Sequence, residues 1–271
     1  CREREREICL QIEHSLYGLK QVLRQWYKKF DSFMMNNGFT KTTSDHCVFM
    51  KNFPDHKFIN LLIYVDDLLI LGQDSTLINK LKLELSKSFA MKDLGPAKQL
   101  LGMKIVRDRK EWLIWLSQES YIEKVLKRFN MNKAKTVGCP LTGHFKLSSN
   151  QCPTSEKDNE EMLKVPYTSA VGSLMYAMVC TRPDIAHAVS RFLSNPGKEH
   201  WAAVKWIIRY LRGTSMVCLC FGDGMPMLDG FTDSDMAGDI DSRKSTSGYL
   251  MTFAGGAVAW QSKLQKCVAL S

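Results

Sequence analysis

The sequence predicts an α+β fold, and three observations carry that prediction. Residues 57–71 hold two apolar runs parted only by Asp66-Asp67, which reads as strand, tight turn, strand. Apolar residues recur at spacings of three and four over 19–34, 76–89 and 120–129, which describes helices with one core-facing side. Residues 226–271 change character, to short strands separated by acidic and glycine-rich turns.

A chain of 271 residues can bury a sizeable core and holds two or more domains. Its 45% hydrophobic and 24% charged content is ordinary for a globular protein in water. The net charge of +9 is uneven, with 24 Lys and Arg against 16 Asp and Glu in residues 1–135 and near neutrality after 226. Such an excess fits a polyanionic partner, and equally a surface that is merely well solvated. No apolar run approaches the ~20 residues of a membrane span, so no membrane partner is expected. Nine cysteines, odd in number, form no Cys-x-x-Cys pair and follow no secretory signal. They read as free thiols in a reducing compartment. Cys139, His144 and Cys152 lack a fourth ligand spaced to complete a zinc site. The start at Cys1 rather than Met suggests a fragment.

In chain order, Arg2 to Glu7 is a solvated charge run. Leu19, Val22, Leu23, Trp26, Tyr27, Phe30, Phe33 and Met34 mark one face of a helix stopped near Asn37-Gly38. Residues 44–50 and 57–71 supply three strands, with 52–55 as the first turn. Leu77, Ile78, Leu81, Leu85 and Phe89 line a second helix, and Leu100 to Ile105 a strand region. Ser120 to Glu123 has the spacing of a capping box opening a helix to Phe129, with Lys124, Lys127 and Arg128 outward. Residues 138–165 lack periodicity and read as a linker or long surface loop. Residues 167–211 are helical in three pieces, separated by Arg182-Pro183 and Asn195-Pro196-Gly197. Strands follow at 228–232, 247–253, 257–261 and 266–270, with Gly255-Gly256 as a hairpin turn.

The pattern around the two acids leaves alternatives open. Asp is a favoured turn residue, so Asp66-Asp67 reads as a plain hairpin tip. The long apolar flanks suggest burial on both faces, where unpaired carboxylates cost roughly several kcal/mol each. A divalent cation is one of the few partners that reverses that cost. Asp233, in a run of turn-forming acids, reads on pattern as part of a loop.

Tyr64-Val65-Asp66-Asp67 between apolar strands resembles the Tyr-x-Asp-Asp catalytic hairpin of reverse transcriptases. Ser15-Leu16-Tyr17-Gly18-Leu19-Lys20-Gln21 and Ser173-Leu174-Met175-Tyr176-Ala177 resemble copia-type LTR retrotransposon Pol polyproteins. So do Thr181-Arg182-Pro183-Asp184-Ile185 and Phe231-Thr232-Asp233, with Arg243 to Tyr249 behind it. The resemblance extends over nearly the whole chain. The sequence departs from it twice. Val22-Leu23 stand where the family has Ala-Pro, which removes a helix breaker. Ala188-Val189 run straight into Ser190-Arg191-Phe192, omitting about three residues and rotating the helix by roughly 60°, so Phe192 is expected to repack or protrude.

The resemblance implies a palm-like antiparallel sheet with helices over 1–112, a helical thumb or connection over 113–225, and an incomplete ribonuclease H-like sheet over 226–271. It implies an RNA-directed DNA polymerase using two Mg²⁺ ions, with Asp66 and Asp67 as catalytic acids and metal ligands. Val65 would lie under the primer end and Tyr64 beneath the turn. Gly18, Lys20 and Gln21, with Tyr64 and Val65, would contact template and nucleotide. Leu101, Gly102 and Met103 would grip the primer, and Asp233 would be the first ribonuclease H acid of an incomplete site. The implied partners are RNA template, DNA primer, RNA–DNA hybrid, dNTPs and the remainder of the polyprotein, in the cytoplasm, a virus-like particle or the nucleus. Truncation at both ends, without the upstream acid and the ribonuclease H Glu, implies inactivity alone. The alternative is a non-catalytic remnant that at most binds nucleic acid.

Overall fold

The computed structural model describes residues 20–65, 67–190, 195–222 and 224–268, with the side chains of 20–23 outside that description. The chain divides into two compact units, 1–97 and 98–271. Helix α1 (Lys20–Asn36) opens the first unit, and Gly38, at φ +77°, turns the chain out of it. Strands β1 (Thr40–Lys41), β2 (Val48–Asn52), β3 (Phe58–Tyr64) and β4 (Asp67–Gly72) form an antiparallel sheet in sequence order. Helix α2 (Ser75–Ser88) follows, capped by Asp74, whose carboxylate accepts from the Thr76 N–H at 2.8 Å. Alternation along β3 buries Ile59, Leu61 and Ile63 against Phe30 and Met34 of α1, Phe49 of β2 and Leu81 and Leu85 of α2. Each such side chain contributes about 1.5–3 kcal/mol of burial. Leu62 and Tyr64 face outward, so β3 is covered on one face and not on both.

The second unit holds two sheets around a helical body. Strands β5 (Gln99–Leu100), β6 (Met103–Asp108), β7 (Leu113–Ser117) and β8 (Leu219–Phe221) form one antiparallel sheet in that order. The β6–β7 hairpin straddles the 112/113 position expected as a domain boundary. Helix α3 (Glu119–Arg128) buries Ile122, Val125 and Leu126. It starts earlier than the Ser120 capping box predicts. Gln118 is its N-cap without a side-chain bond, and the Ser117 hydroxyl accepts from the Glu119 N–H at 3.2 Å. The expected linker is partly ordered by its own caps. Ser148 opens a 3₁₀ turn at Ser149–Gln151, and Ser155 caps α4 (Glu156–Leu163) by accepting from the Asp158 N–H.

Helices α5 (Tyr167–Thr181), α6 (Ala186–Val189) and α7 (Lys198–Gly213) follow, with a 3₁₀ turn at Pro183–Ile185 between the first two. Leu174, Ala177, Ile185, Val204, Ile207, Ile208 and Leu211 join Ile122 and Leu126 of α3 in one core. The predicted displacement of Phe192 falls outside the described residues. Strands β9 (Leu228–Ser234), β10 (Thr246–Phe253) and β11 (Gly256–Leu264) form the last sheet in the order β11-β10-β9. Its turn lies at Ala254-Gly255, one residue before the predicted position, because Phe253 pairs with Gly256. Residues 265–268 are not a strand, contrary to the reading of 266–270. A side chain at Gly256 would collide with the Phe221 ring and the Cys220 carbonyl. Gly222 N–H donates to Ala254 O at 2.8 Å, joining the end of β8 to that turn.

Candidate active site

The hairpin singled out in the sequence is formed by strands in strict register, from Ile59 opposite Gly72 to Tyr64 opposite Asp67. Only positions 65 and 66 remain between the strands, the shortest common hairpin connection. Val65 sits at φ +52°. A β-branched residue in the left-handed region is a backbone outlier, costing about 1–2 kcal/mol. The strand pairing on both sides holds it there. Tyr64 and Val65 are each 59% exposed, so Tyr64 does not pack beneath the turn as expected. Asp67 begins β4 with an exposed side chain. Asp66 and Gly18 lie outside the described residues, as do the side chains of Lys20 and Gln21 in the first turn of α1.

Three other carboxylates of this unit are occupied. Asp31 on α1 pairs with Lys41 at 2.8 Å, and Asp45 accepts from the Cys47 N–H at 2.8 Å. Asp74 takes the Thr76 hydroxyl and backbone and Lys57, and these bonds hold its carboxyl well below the ordinary range. Among the described residues, no group of three or more His, Cys, Asp or Glu is placed to hold a metal ion. Two adjacent carboxylates at a turn still suit a hard, oxygen-seeking cation that keeps part of its water shell.

Leu101, Gly102 and Met103 belong to the second unit, at the β5–β6 turn. Leu101 at φ +49° and Gly102 at φ +72° give a two-residue turn with both centres left-handed, and Leu100 pairs with Met103. The Tyr176 hydroxyl of α5 donates to Leu101 O. Asp233 lies on edge strand β9 opposite Gly248, exposed to solvent. Its neighbours are committed to the loop. Asp235 accepts from Thr246 N–H at 2.7 Å, Asp239 from Ser242 N–H at 2.8 Å, and Asp241 from Ser149 N–H at 2.7 Å.

A buried constellation escaped the sequence reading. Arg182, 0% exposed, donates to both Asp184 oxygens at 3.0 and 2.7 Å, and to Thr214 O and Oγ1 at 3.0 and 2.6 Å. Tyr210 donates to the same carboxylate at 2.7 Å. Burial pushes the Asp184 carboxyl up, but Arg182 and Tyr210 outweigh it and hold it below the ordinary value. A surrounding apolar pattern cannot reveal a buried cation, since hydropathy marks it as exposed.

Residues 1–143 match the family described as Reverse transcriptase (RNA-dependent DNA polymerase). The chain is 66% identical over 270 residues to the Retrovirus-related Pol polyprotein from transposon TNT 1-94 of Nicotiana tabacum, covering 98% of this chain and 20% of that protein. It is 36% identical to the Pol polyprotein from transposon RE1 of Arabidopsis thaliana, over all of this chain and 18% of that one. A putative transposon Ty5-1 protein of Saccharomyces cerevisiae is 31% identical, with 98% of this chain and 85% of that protein covered. No solved structure matches. The chain spans about a fifth of the length of the tobacco and Arabidopsis polyproteins. No helix among the described residues is long and apolar enough to cross a membrane. An acid-tipped hairpin, a matching family over more than half the chain and near end-to-end likeness to transposon polyproteins agree: this chain belongs to the reverse transcriptase family of copia-type Pol polyproteins.

Proposed function

We infer that the Tyr64–Asp67 hairpin is the catalytic hairpin of an RNA-directed DNA polymerase, acting on an RNA template, a DNA primer and dNTPs within the longer polyprotein. The observation that supports this most is the two-residue turn between paired Tyr64 and Asp67, with Val65 in left-handed backbone and an exposed carboxylate beside it. Asp66 and Asp67 are the residues that would hold Mg²⁺, which when bound supplies charge neutralisation at the reacting phosphates and lowers the pKa of the primer hydroxyl. The protein's own part is placement. The β3–β4 register fixes Asp67 opposite Tyr64, and Val65 offers an apolar contact to the primer end. Lys20 and Gln21 contact template and nucleotide, and Leu101, Gly102 and Met103 steady the primer. The last sheet begins a ribonuclease H-like domain, with Asp233 as its first acid on RNA–DNA hybrid. The engagement of Asp31 by Lys41, of Asp45 by the Cys47 N–H and of Asp74 by Thr76 and Lys57 favours a second reading for the isolated chain, that of a nucleic-acid-binding piece without catalysis.

The 66% identity to the tobacco polyprotein makes a direct test feasible. This chain replaces its counterpart in that polyprotein, and RNA-templated primer extension is measured with Mg²⁺. Extension is expected in the chimera, with Asp66→Asn and Asp67→Asn each lowering the rate roughly a hundredfold or more, the scale of losing one preorganised electrostatic group. Undiminished extension with both acids neutralised overturns the assignment. The isolated chain is expected to extend no primer.

A further inference from the structure

We propose that Tyr27 on α1 is a positioning residue for the Tyr64–Asp67 hairpin, acting through the neighbouring turn of the same sheet, a role that rests on the polymerase reading of that hairpin. An antiparallel sheet whose strands follow sequence order brings its first and third turns out at one end. The turn after β1, residues 42–47, therefore stands beside the turn at 65–66. The two are joined by a bond. Ile63 N–H donates to Cys47 O at 3.0 Å, one residue past the pairing of Val48 with Leu62.

The hairpin is thus held from both sides. Strand β4 holds it through Asp67 opposite Tyr64, and Cys47 holds it through Ile63. Between those holds, Val65 keeps a φ of +52°. A β-branched residue in left-handed backbone persists only while its surroundings over-determine it. Loosening residues 45–47 frees Ile63, lets Val65 relax and moves the acids beside it. Catalytic groups tolerate about 0.5 Å of such movement.

The 42–47 turn cannot hold its own place. Thr43 to Cys47 are all exposed, so no buried side chain there anchors it. Polar bonds give it shape only. The Thr42 hydroxyl donates to Asp45 O at 2.6 Å, and Asp45 accepts from the Cys47 N–H at 2.8 Å. Its position comes from α1. The half-buried Tyr27 donates its hydroxyl to His46 O at 2.8 Å. One helical turn on, Asp31 pairs with Lys41 at 2.8 Å, and the same ammonium lies 5.8 Å from the Tyr27 ring. Tyr27 and Asp31 follow the spacing of Phe30 and Met34, which are buried in the core of this unit. Helix α1 therefore pins the turn at both ends, and Tyr27 is the pin nearer the acids.

Tyr27→Phe keeps the ring and removes only the bond to His46 O. In the tobacco chimera it should lower kcat for RNA-templated extension roughly tenfold, with KM for dTTP changed by less than about twofold. Thr42→Val, which opens the same turn from within, should act in the same direction. Thr40→Val is the control. It removes a hydroxyl bond to Met50 O at 3.2 Å, where Met50 pairs with Asn60, away from the acids, and should leave kcat unchanged. Hydrogen exchange on the full chain should show the Ile63 amide quickened several-fold by Tyr27→Phe, with the α2 amides unchanged. A quickened Ile63 amide with undiminished kcat, or equal losses from Tyr27→Phe and Thr40→Val, overturns the positioning role while Asp67→Asn still abolishes extension. Extension indifferent to Asp67→Asn overturns the polymerase reading and this role together.

Discussion

The Tyr176 hydroxyl donates to the Leu101 carbonyl oxygen across 75 residues of sequence, fixing the turn of the β5–β6 hairpin to helix α5. That turn combines two left-handed residues with a short strand pair, so it has little else to hold it. A side chain added at Gly102 would meet the same hydroxyl at 3.4 Å. Tyr176→Phe is expected to cost about 1 kcal/mol locally. Hydrogen exchange at the Met103 and Lys104 amides should quicken several-fold, with protection of the α7 amides unchanged. Unchanged exchange at the hairpin would show the bond to be idle.

Arg182 is the costliest single side chain to alter in the second unit. Its four hydrogen bonds join the end of α5, the 3₁₀ turn and the end of α7. Removing it leaves the Asp184 carboxylate, with a side chain 32% exposed, held by Tyr210 without its guanidinium partner. Arg182→Met should destabilise by roughly 1.5–3 kcal/mol, the scale of a lost charge-assisted hydrogen bond at a partly exposed partner. Arg182→Lys should recover only part, since an ammonium cannot span both partners as the planar fork does. Urea unfolding followed by fluorescence reads both.

His200 gives this unit a second, separate response to acid. It is 0% exposed, Nδ1 accepts from the Gly197 N–H at 3.1 Å, and Nε2 has no hydrogen-bond partner among the described residues. Burial lowers its pKa, and the nearby Asp241 and Glu199 carboxylates only partly offset that. A depressed histidine binds its proton more readily when unfolded, so its contribution is complete above about pH 6.5 and declines as pH falls below it. Asp184, also lowered, loses its contribution only as pH falls through the carboxylate range, below about 4. Unfolding free energy measured from pH 7.5 to 5 should fall for the native chain. His200→Gln, which can still accept the Gly197 N–H, should flatten that window. A native profile flat across it contradicts this reading.

Val65 offers a stability gain with a functional cost. Val65→Asn, a residue that tolerates left-handed backbone, should stabilise the first unit by about 1 kcal/mol. In the tobacco chimera the same change should slow primer extension by removing the apolar contact beneath the primer end. A chimera that is both stabler and equally fast would separate the strain from the function.

The legible parts of the fold were those written in repeated apolar spacing. Phe30 and Met34, and Leu81 and Leu85, announce the buried sides of α1 and α2, and the twin runs flanking Asp66-Asp67 announce β3 and β4. Features set by a single polar bond were not legible. Ser117 rather than Ser120 stands at the start of α3, and Ser155 builds α4 inside a stretch without any apolar period. Nor does hydropathy distinguish Arg182 and His200, fully buried, from the lysines on the surface. At the candidate site, spacing located the turn but not the inversion of φ at Val65 or the exposure of Tyr64, because both follow from strand register. The Tyr27 anchor becomes visible only once the His46 carbonyl is seen beside it.

The missing side chain at Gly256 has a mechanical consequence. Phe221 fills the volume any larger residue there would need, and the β8 end is hydrogen-bonded to the turn above it. Peeling strand β11 away would lay that ring bare to water, so β8 and the closing sheet should leave the native state as one foldon. Pulled from its last residues, the unit should therefore yield in a single long step that carries β8 along, with no short step for the sheet alone.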